Sequence, residues 1–333
     1  MSATVPDERR FIIGPGPHVR AADTTARILW TVNASLAPAV LWGAFVFGWS
    51  ALAVVVAAVL GALLAEALAP GPRGRARTLA DGSAVCTGLL LGMTLPPLLP
   101  PWMALLGGAF GIFLAKTLFG GLGFNLFNPA LIGRAFLLAS FPQAMTLGWA
   151  APRPGFAAPL DAVTTPTPLA VLREHGVGAA WNLVHASGHG PAPWTSLVLG
   201  FRPGSIGEVS VVLVALGAAF LVWRRILTLT IPLAVFAGVA LVTAASGAVG
   251  LHLLAGGLWL GAFYMATDYV TSPTTRGGQI VFGLIVGALT GVIRTWGGYP
   301  EGICYAILIA NALVPALNLW FRPRRVAPEQ ALS

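Results

Sequence analysis

Apolar positions along this chain run on, with neither strand alternation nor a helical stripe. From Ile28 to Leu68 hardly a charge interrupts them, and Gly48, Trp49 and Ser50 supply the one turn signal inside the run. A stretch that crosses a bilayer needs about 20 such residues. The pattern predicts spanning helices over 28–47, 50–69, 82–96, 102–119, 130–147, 207–223, 227–246, 251–267, 279–294 and 302–320. The longest segment that reads as non-spanning is 148–195.

Composition agrees. Of 333 residues 56% are hydrophobic and 9% charged, and the mean hydropathy is +0.81. A soluble domain carries roughly 25% charged residues, so this chain cannot cover a water-facing surface and reads as an all-α integral membrane protein. The net charge of +8 does not point to nucleic acid, because the arginines sit in short clusters beside apolar runs. Under the positive-inside rule those clusters set the topology. Arg9, Arg10 and Arg20, then Arg73, Arg75 and Arg77, then Arg224 and Arg225, then RPRR (322–325) all fall on the cytoplasmic side. About ten spans result, with both termini cytoplasmic and 148–195 external. The polar, arginine-bearing start has no short apolar core with a cleavage site, so it does not read as a signal peptide.

A few polar groups stand out. Cys86 and Cys304 lack any C-x-x-C partner and indicate neither a metal nor a cluster site. Glu66 and Lys116 fall near predicted helix ends, where they can snorkel, and Asp81 reads as a helix cap. Arg134 and His252 fit an interfacial or a buried place equally. Glu208 in GSIGEVS and Asp268 in MATDYVTSP each sit at a span edge among hydroxyl side chains. Such oxygens suit Na⁺ or a proton relay, and helix capping suits them as well. NLFNPA (125–130) is either a re-entrant break lining a cavity or an ordered turn. DGSAVCTGLLLG (81–92) and GSIGEVSVVLVALG (204–217) share a Gly-Ser opening that hints at an inverted repeat.

Several pieces together resemble one family. They are DGSAVCTGLLLGMTLPP (81–97), KTLFGGLGFNLFNPALIGRAFLLASFP (116–142), GSIGEVS (204–210), HLLAGGLWLGAFYMATDYVTSP (252–273), IRTWGGYPEG (293–302), NALVP (311–315) and GPHVR (16–20). In this order they look like RnfD, the membrane component of Rnf ion-translocating complexes. More distantly they are similar to the corresponding membrane component, NqrB, of the sodium-pumping NADH:quinone oxidoreductase.

The resemblance implies two inverted five-helix bundles like those of urea and ammonium channels. It implies a cytoplasmic segment 1–27, a first bundle 28–147, a periplasmic flavin-bearing loop 148–206, a second bundle 207–320 and a cytoplasmic tail 321–333. It further implies covalent FMN on a loop threonine in an Asp-x-x-Ser/Thr-Gly-Ala-Thr pattern. Asp161 matches the aspartate, Thr164 the Ser/Thr and Thr167 the acceptor, while Thr165 and Pro166 depart from glycine and alanine. Pro166 and Pro168 favour extended backbone before them, which would hold Thr167 outward. A non-covalent riboflavin is also implied. So are partners: further membrane subunits, a periplasmic flavin subunit, cytoplasmic iron–sulfur and NADH-binding subunits, a flavin transferase and membrane lipid, with no nucleic acid.

The implied function is a subunit of a ferredoxin:NAD oxidoreductase in a bacterial inner membrane, not catalytic alone. Its FMN redox state would bias the bundles, with Asp268 and Glu208 sensing or carrying Na⁺ or H⁺. Tyr269 stands where the family has proline after the aspartate. The rival readings are a passive channel or secondary transporter with no redox role, and a scaffold.

Overall fold

The computed structural model describes residues 23–69, 75–152, 155, 165–187, 193–208 and 210–322. GPHVR (16–20), Asp161 and Thr164 lie outside them. The chain is all-α and multi-pass, with four helices long and apolar enough to cross a membrane. They are α1 (Thr25–Phe47), α2 (Trp49–Leu68), α14 (Arg276–Trp296) and α15 (Ile303–Trp320).

The rest follow in chain order as shorter pieces. After α2 come α3 (Arg75–Ala80), α4 (Ser83–Met93), α5 (Pro101–Ile112), α6 (Pro129–Ser140) and α7 (Pro142–Leu147). Then come α8 (Pro168–Ser187), α9 (Pro193–Leu199), α10 (Val211–Trp223), α11 (Thr230–Thr243), α12 (Val249–Leu254) and α13 (Leu258–Leu260). The segment 148–195, read as non-spanning, holds α8 and the start of α9. They enclose a small core of Val171, Ala180, Val184 and Leu197 that rests on Ala248 and Leu251. The expected spans 130–147 and 251–267 are each broken in two. Phe141–Pro142 interrupts the first, and Gly256 and Gly257, at φ 77° and 63°, interrupt the second.

Two helix pairs pack most closely, α2 with α5 and α11 with α14, and α5 and α14 each pack next on α6 and α15. Small residues allow backbones this close in a membrane. A Cβ on Gly61 would overlap the Leu105 carbonyl, and one on Gly287 would overlap the Val235 carbonyl. A single buried apolar core runs through both sets, from Leu36 and Val55 to Phe282 and Ile307.

Candidate ion site at the helix breaks

Breaking a helix inside a membrane frees N–H and C=O groups that the protein itself must satisfy. The chain does so at two places.

The first lies toward the end where α10 finishes. After α5 the chain makes a π turn, Phe113–Thr117, and crosses a glycine-rich loop to Asn128. Asn128 caps α6, its Oδ1 accepting from Ala130 N (3.0 Å) and Leu131 N (3.4 Å), and Pro129 takes the first helical position. This is the cap that Ser/Thr/Asp/Asn provide, with proline where its missing N–H costs nothing. NLFNPA is thus an ordered helix start. A second π turn, Gly261–Met265, continues α13 and ends just before Asp268. The two breaks touch, since Asn128 Nδ2 donates to the Met265 carbonyl at 3.4 Å. With its amide oriented to suit its neighbours, Asn311 of α15 accepts from Asn128 N (3.2 Å) and donates to the Thr271 carbonyl (3.0 Å). Sequence reasoning missed Asn311, whose signal was an asparagine inside an apolar run, and which is fully buried (0% exposed).

Between these breaks is a cavity of ≈ 450 Å³. Asp268 lines it with Thr267, Tyr264, Ser83, Cys86, Thr87, Lys116, Asn125 and Asn128, and Val32, Leu90 and Phe263 form apolar wall. Asp268 Oδ2 accepts from Thr271 Oγ1 at 3.1 Å, and no cation of the described residues pairs with it at salt-bridge distance. The cavity gathers a carboxylate, hydroxyls and amide oxygens, the donor set of a hard cation or a proton relay.

Lys116 and Glu66 do not snorkel. Both are buried, and Lys116 Nζ lies 2.7 Å from Glu66 Oε2 and 2.6 Å from Ser83 Oγ. Lys116 lies in the π turn, a distortion frequent at functional sites. Asp81 stands one residue before the N-cap of α4, Gly82, and its Oδ1 accepts from Ser83 N at 2.8 Å.

The second place lies toward the opposite end, where the Gly256–Gly257 break frees the last carbonyls of α12. Two arginines satisfy them. Arg294 donates to the carbonyls of Ala255 (3.0 Å), Gly256 (2.9 Å) and His252, and Arg202 donates to that of Leu254 (2.8 Å). Positive charge also suits a helix C-terminus. Glu208, in a short 3₁₀ turn (Ile206–Glu208), accepts the Gly256 N–H and lies 3.6 Å from Arg202. Glu301 pairs with Arg134 of α6, and Arg134 and His252 are each buried. Asp268 and Glu208 therefore belong to separate sites, one open to a cavity and the other enclosed by arginine and backbone.

Thr167 does not turn outward. It is 6% exposed, and its Oγ1 caps α8 by accepting from Ala170 N at 3.3 Å. That hydroxyl is occupied as a helix cap and does not face outward as expected. Thr165 is tied back through its N–H to the Trp149 carbonyl at 3.2 Å.

Comparisons with known proteins bear on the same points. The profile of the NQR2, RnfD, RnfE family matches residues 12–327. The chain is 43% identical over 321 residues to the D-type subunit of the proton-translocating ferredoxin:NAD(+) oxidoreductase complex of Clostridium ljungdahlii, covering 94% of this chain and 95% of that one. It is 37% identical over 336 residues to the D-type subunit of the ion-translocating oxidoreductase complex of Halorhodospira halophila, covering 93% of each. It is also 37% identical over 321 residues to the D-type subunit of the Na(+)-translocating ferredoxin:NAD(+) oxidoreductase complex of Acetobacterium woodii, covering 96% of each. These matches correct the flavin expectation. They place the chain among D-type membrane subunits, and none of those names gives the subunit a flavin. With Thr167 buried as a cap, neither the structure nor these matches supports the covalent FMN expected on this chain.

Proposed function

Because the chain belongs to the NQR2, RnfD, RnfE family, we propose that it is the ion-conducting membrane subunit of an Rnf-type ferredoxin:NAD oxidoreductase, with Asp268 as its coupling carboxylate. It is a subunit of a multi-subunit oxidoreductase and translocase, not catalytic alone. Flavin, iron–sulfur and NADH chemistry belong to partner subunits in this reading. The observation that carries it is the Asp268 carboxylate on a polar cavity between two helix breaks. A carboxylate in a membrane protein with no cationic partner at salt-bridge distance among the described residues is costly. A transported cation or proton offsets that cost when it binds.

Glu208 has a different part. Arg202 and the Gly256 N–H hold it, so it acts on ion movement through the α12–α13 break and does not bind the ion itself. The relatives are named for Na⁺ in one case and protons in another, and oxygen donors of this kind accept either.

The architecture in this reading is two inverted five-helix bundles. The close pairs α2–α5 and α11–α14, each extended by α6 or α15, support it. The termini and the arginines at 224–225 face the cytoplasm, as the positive-inside rule requires, and α8 and α9 face the periplasm. In the assembled complex, Asp268→Asn is expected to abolish ion uptake while ferredoxin-linked NAD⁺ reduction continues. Uptake at the unaltered rate would exclude Asp268.

A further inference from the structure

At the end of the molecule where α1 begins and α10 finishes, a second pocket of ≈ 400 Å³ opens to the surface. Asp23, Arg27, Thr31, Trp223, Arg224 and Arg225 line it. Among the described residues three arginines face one aspartate, and Asp23 lies 3.9 Å from Arg27. The pocket therefore carries an excess of positive charge.

Its backbone is unusual. Arg225, at φ 58°, is the one non-glycine residue with positive φ among the described residues. It occupies the position after the cap of α10 in a Schellman turn. Arg225 N donates to the Val222 carbonyl (2.9 Å) and Ile226 N to that of Leu221 (2.9 Å). Glycine is the usual residue there, because a side chain in the left-handed region is disfavoured. The chain keeps an arginine where glycine would fit the backbone better, which points to use of the side chain.

The surroundings say what for. Leu216, Phe220 and Trp223 are all exposed on α10, Trp223 at 76%. Their i, i+4, i+7 spacing puts them on one face that ends at the pocket. In a spanning helix such a face meets acyl chains, and tryptophan at its end marks the headgroup level. Ile28 and Ile226 line both this pocket and the Asp268 cavity, and so form the wall between them.

We propose that Arg224 and Arg225, with Trp223, form a binding site for the phosphate headgroup of an anionic membrane lipid, whose acyl chains lie along Leu216 and Phe220. Guanidinium groups match phosphate oxygens in geometry as well as charge. A zwitterionic lipid brings its own cation and is held less well. The site needs no assumption about ion transport, so it stands or falls separately from the role of Asp268.

The test is native mass spectrometry of the full chain released from vesicles of equal phosphatidylglycerol and phosphatidylcholine. Wild type is expected to retain phosphatidylglycerol in preference. Arg225→Gly, which puts the usual residue in the turn, should keep or raise thermal stability yet lose about fivefold in that preference, as one arginine at a membrane surface contributes. Arg224→Gln should do the same, and the double variant should bind both lipids alike. Equal retention of the two lipids by wild type, or a preference that survives in the double variant, would overturn the proposal. So would displacement of the lipid by millimolar inorganic phosphate, which would mark a site for a soluble anion.

Discussion

Lys116 and Glu66 form an ion pair 2.7 Å long inside the membrane part of the chain, with both side chains about 95% buried. They come from the π turn after α5 and from α2, so the bond ties together one of the two most closely packed helix pairs beside the Asp268 cavity. Removing one partner of a buried pair leaves the other charged and unpaired, which typically costs about 3–5 kcal/mol. Lys116→Met alone should therefore lower the thermal midpoint of the purified chain sharply. Glu66→Gln with Lys116→Met should recover much of the loss. If the double variant is as unstable as the single one, the charge pair is not the cause.

Arg134 and Glu301 make the comparable bond at the other end, joining α6 to the loop before α15. Arg294 Nε also donates to the Glu301 carbonyl at 2.8 Å, so the loop is held twice. Arg134→Gln should destabilise by about 3 kcal/mol and loosen protection of the 297–302 loop in hydrogen exchange. Unchanged exchange there would show that Arg294 suffices.

The close helix pairs make a symmetric prediction. Gly61→Val and Gly287→Val each place atoms on a facing carbonyl, at Leu105 and at Val235. Overpacking of this kind costs about 1–3 kcal/mol, occasionally more. Both variants should yield less folded chain, to a similar degree. Tolerance of one alone would argue against equivalent pairs.

Cys86 lines the cavity and Cys304 is buried in α15. A membrane-impermeant maleimide applied from the cytoplasmic face should label Cys86 and spare Cys304, and Cys86→Ser should abolish labelling. Labelling only from the other face would reverse the proposed topology.

How much of this was legible in the sequence depends on what each residue's signal was. Long apolar runs gave α1, α2, α14 and α15 to within three residues at each end, because a span must satisfy its own backbone and its length is fixed by the bilayer. The breaks were harder. Gly-Gly at 256–257 reads as flexible packing until Arg294 is seen to take the carbonyls, and Arg294 is 38 residues from Gly256 in sequence. Lys116 looked like a snorkelling end because neither a π turn nor a buried pairing with Glu66 has a sequence signature. The hydroxyls of the Thr-Pro segment suggested an exposed loop, whereas Thr167 caps a helix that low hydropathy concealed. Asp268 was singled out from residue type and neighbours alone. The cavity beside it needs five segments, at 25–32, 83–90, 116–129, 221–227 and 263–270, that only the fold brings together.

The central claim is that Asp268 carries the coupled ion. The most direct test is to reconstitute the whole complex with Asp268→Asn in sealed vesicles and follow electron transfer and ²²Na⁺ or proton uptake together. Electron transfer should persist at a rate within a few-fold of wild type, and uptake should fall to the level of an uncoupled control. If each electron pair still moves as many ions as in wild type, another residue carries them and the claim is wrong.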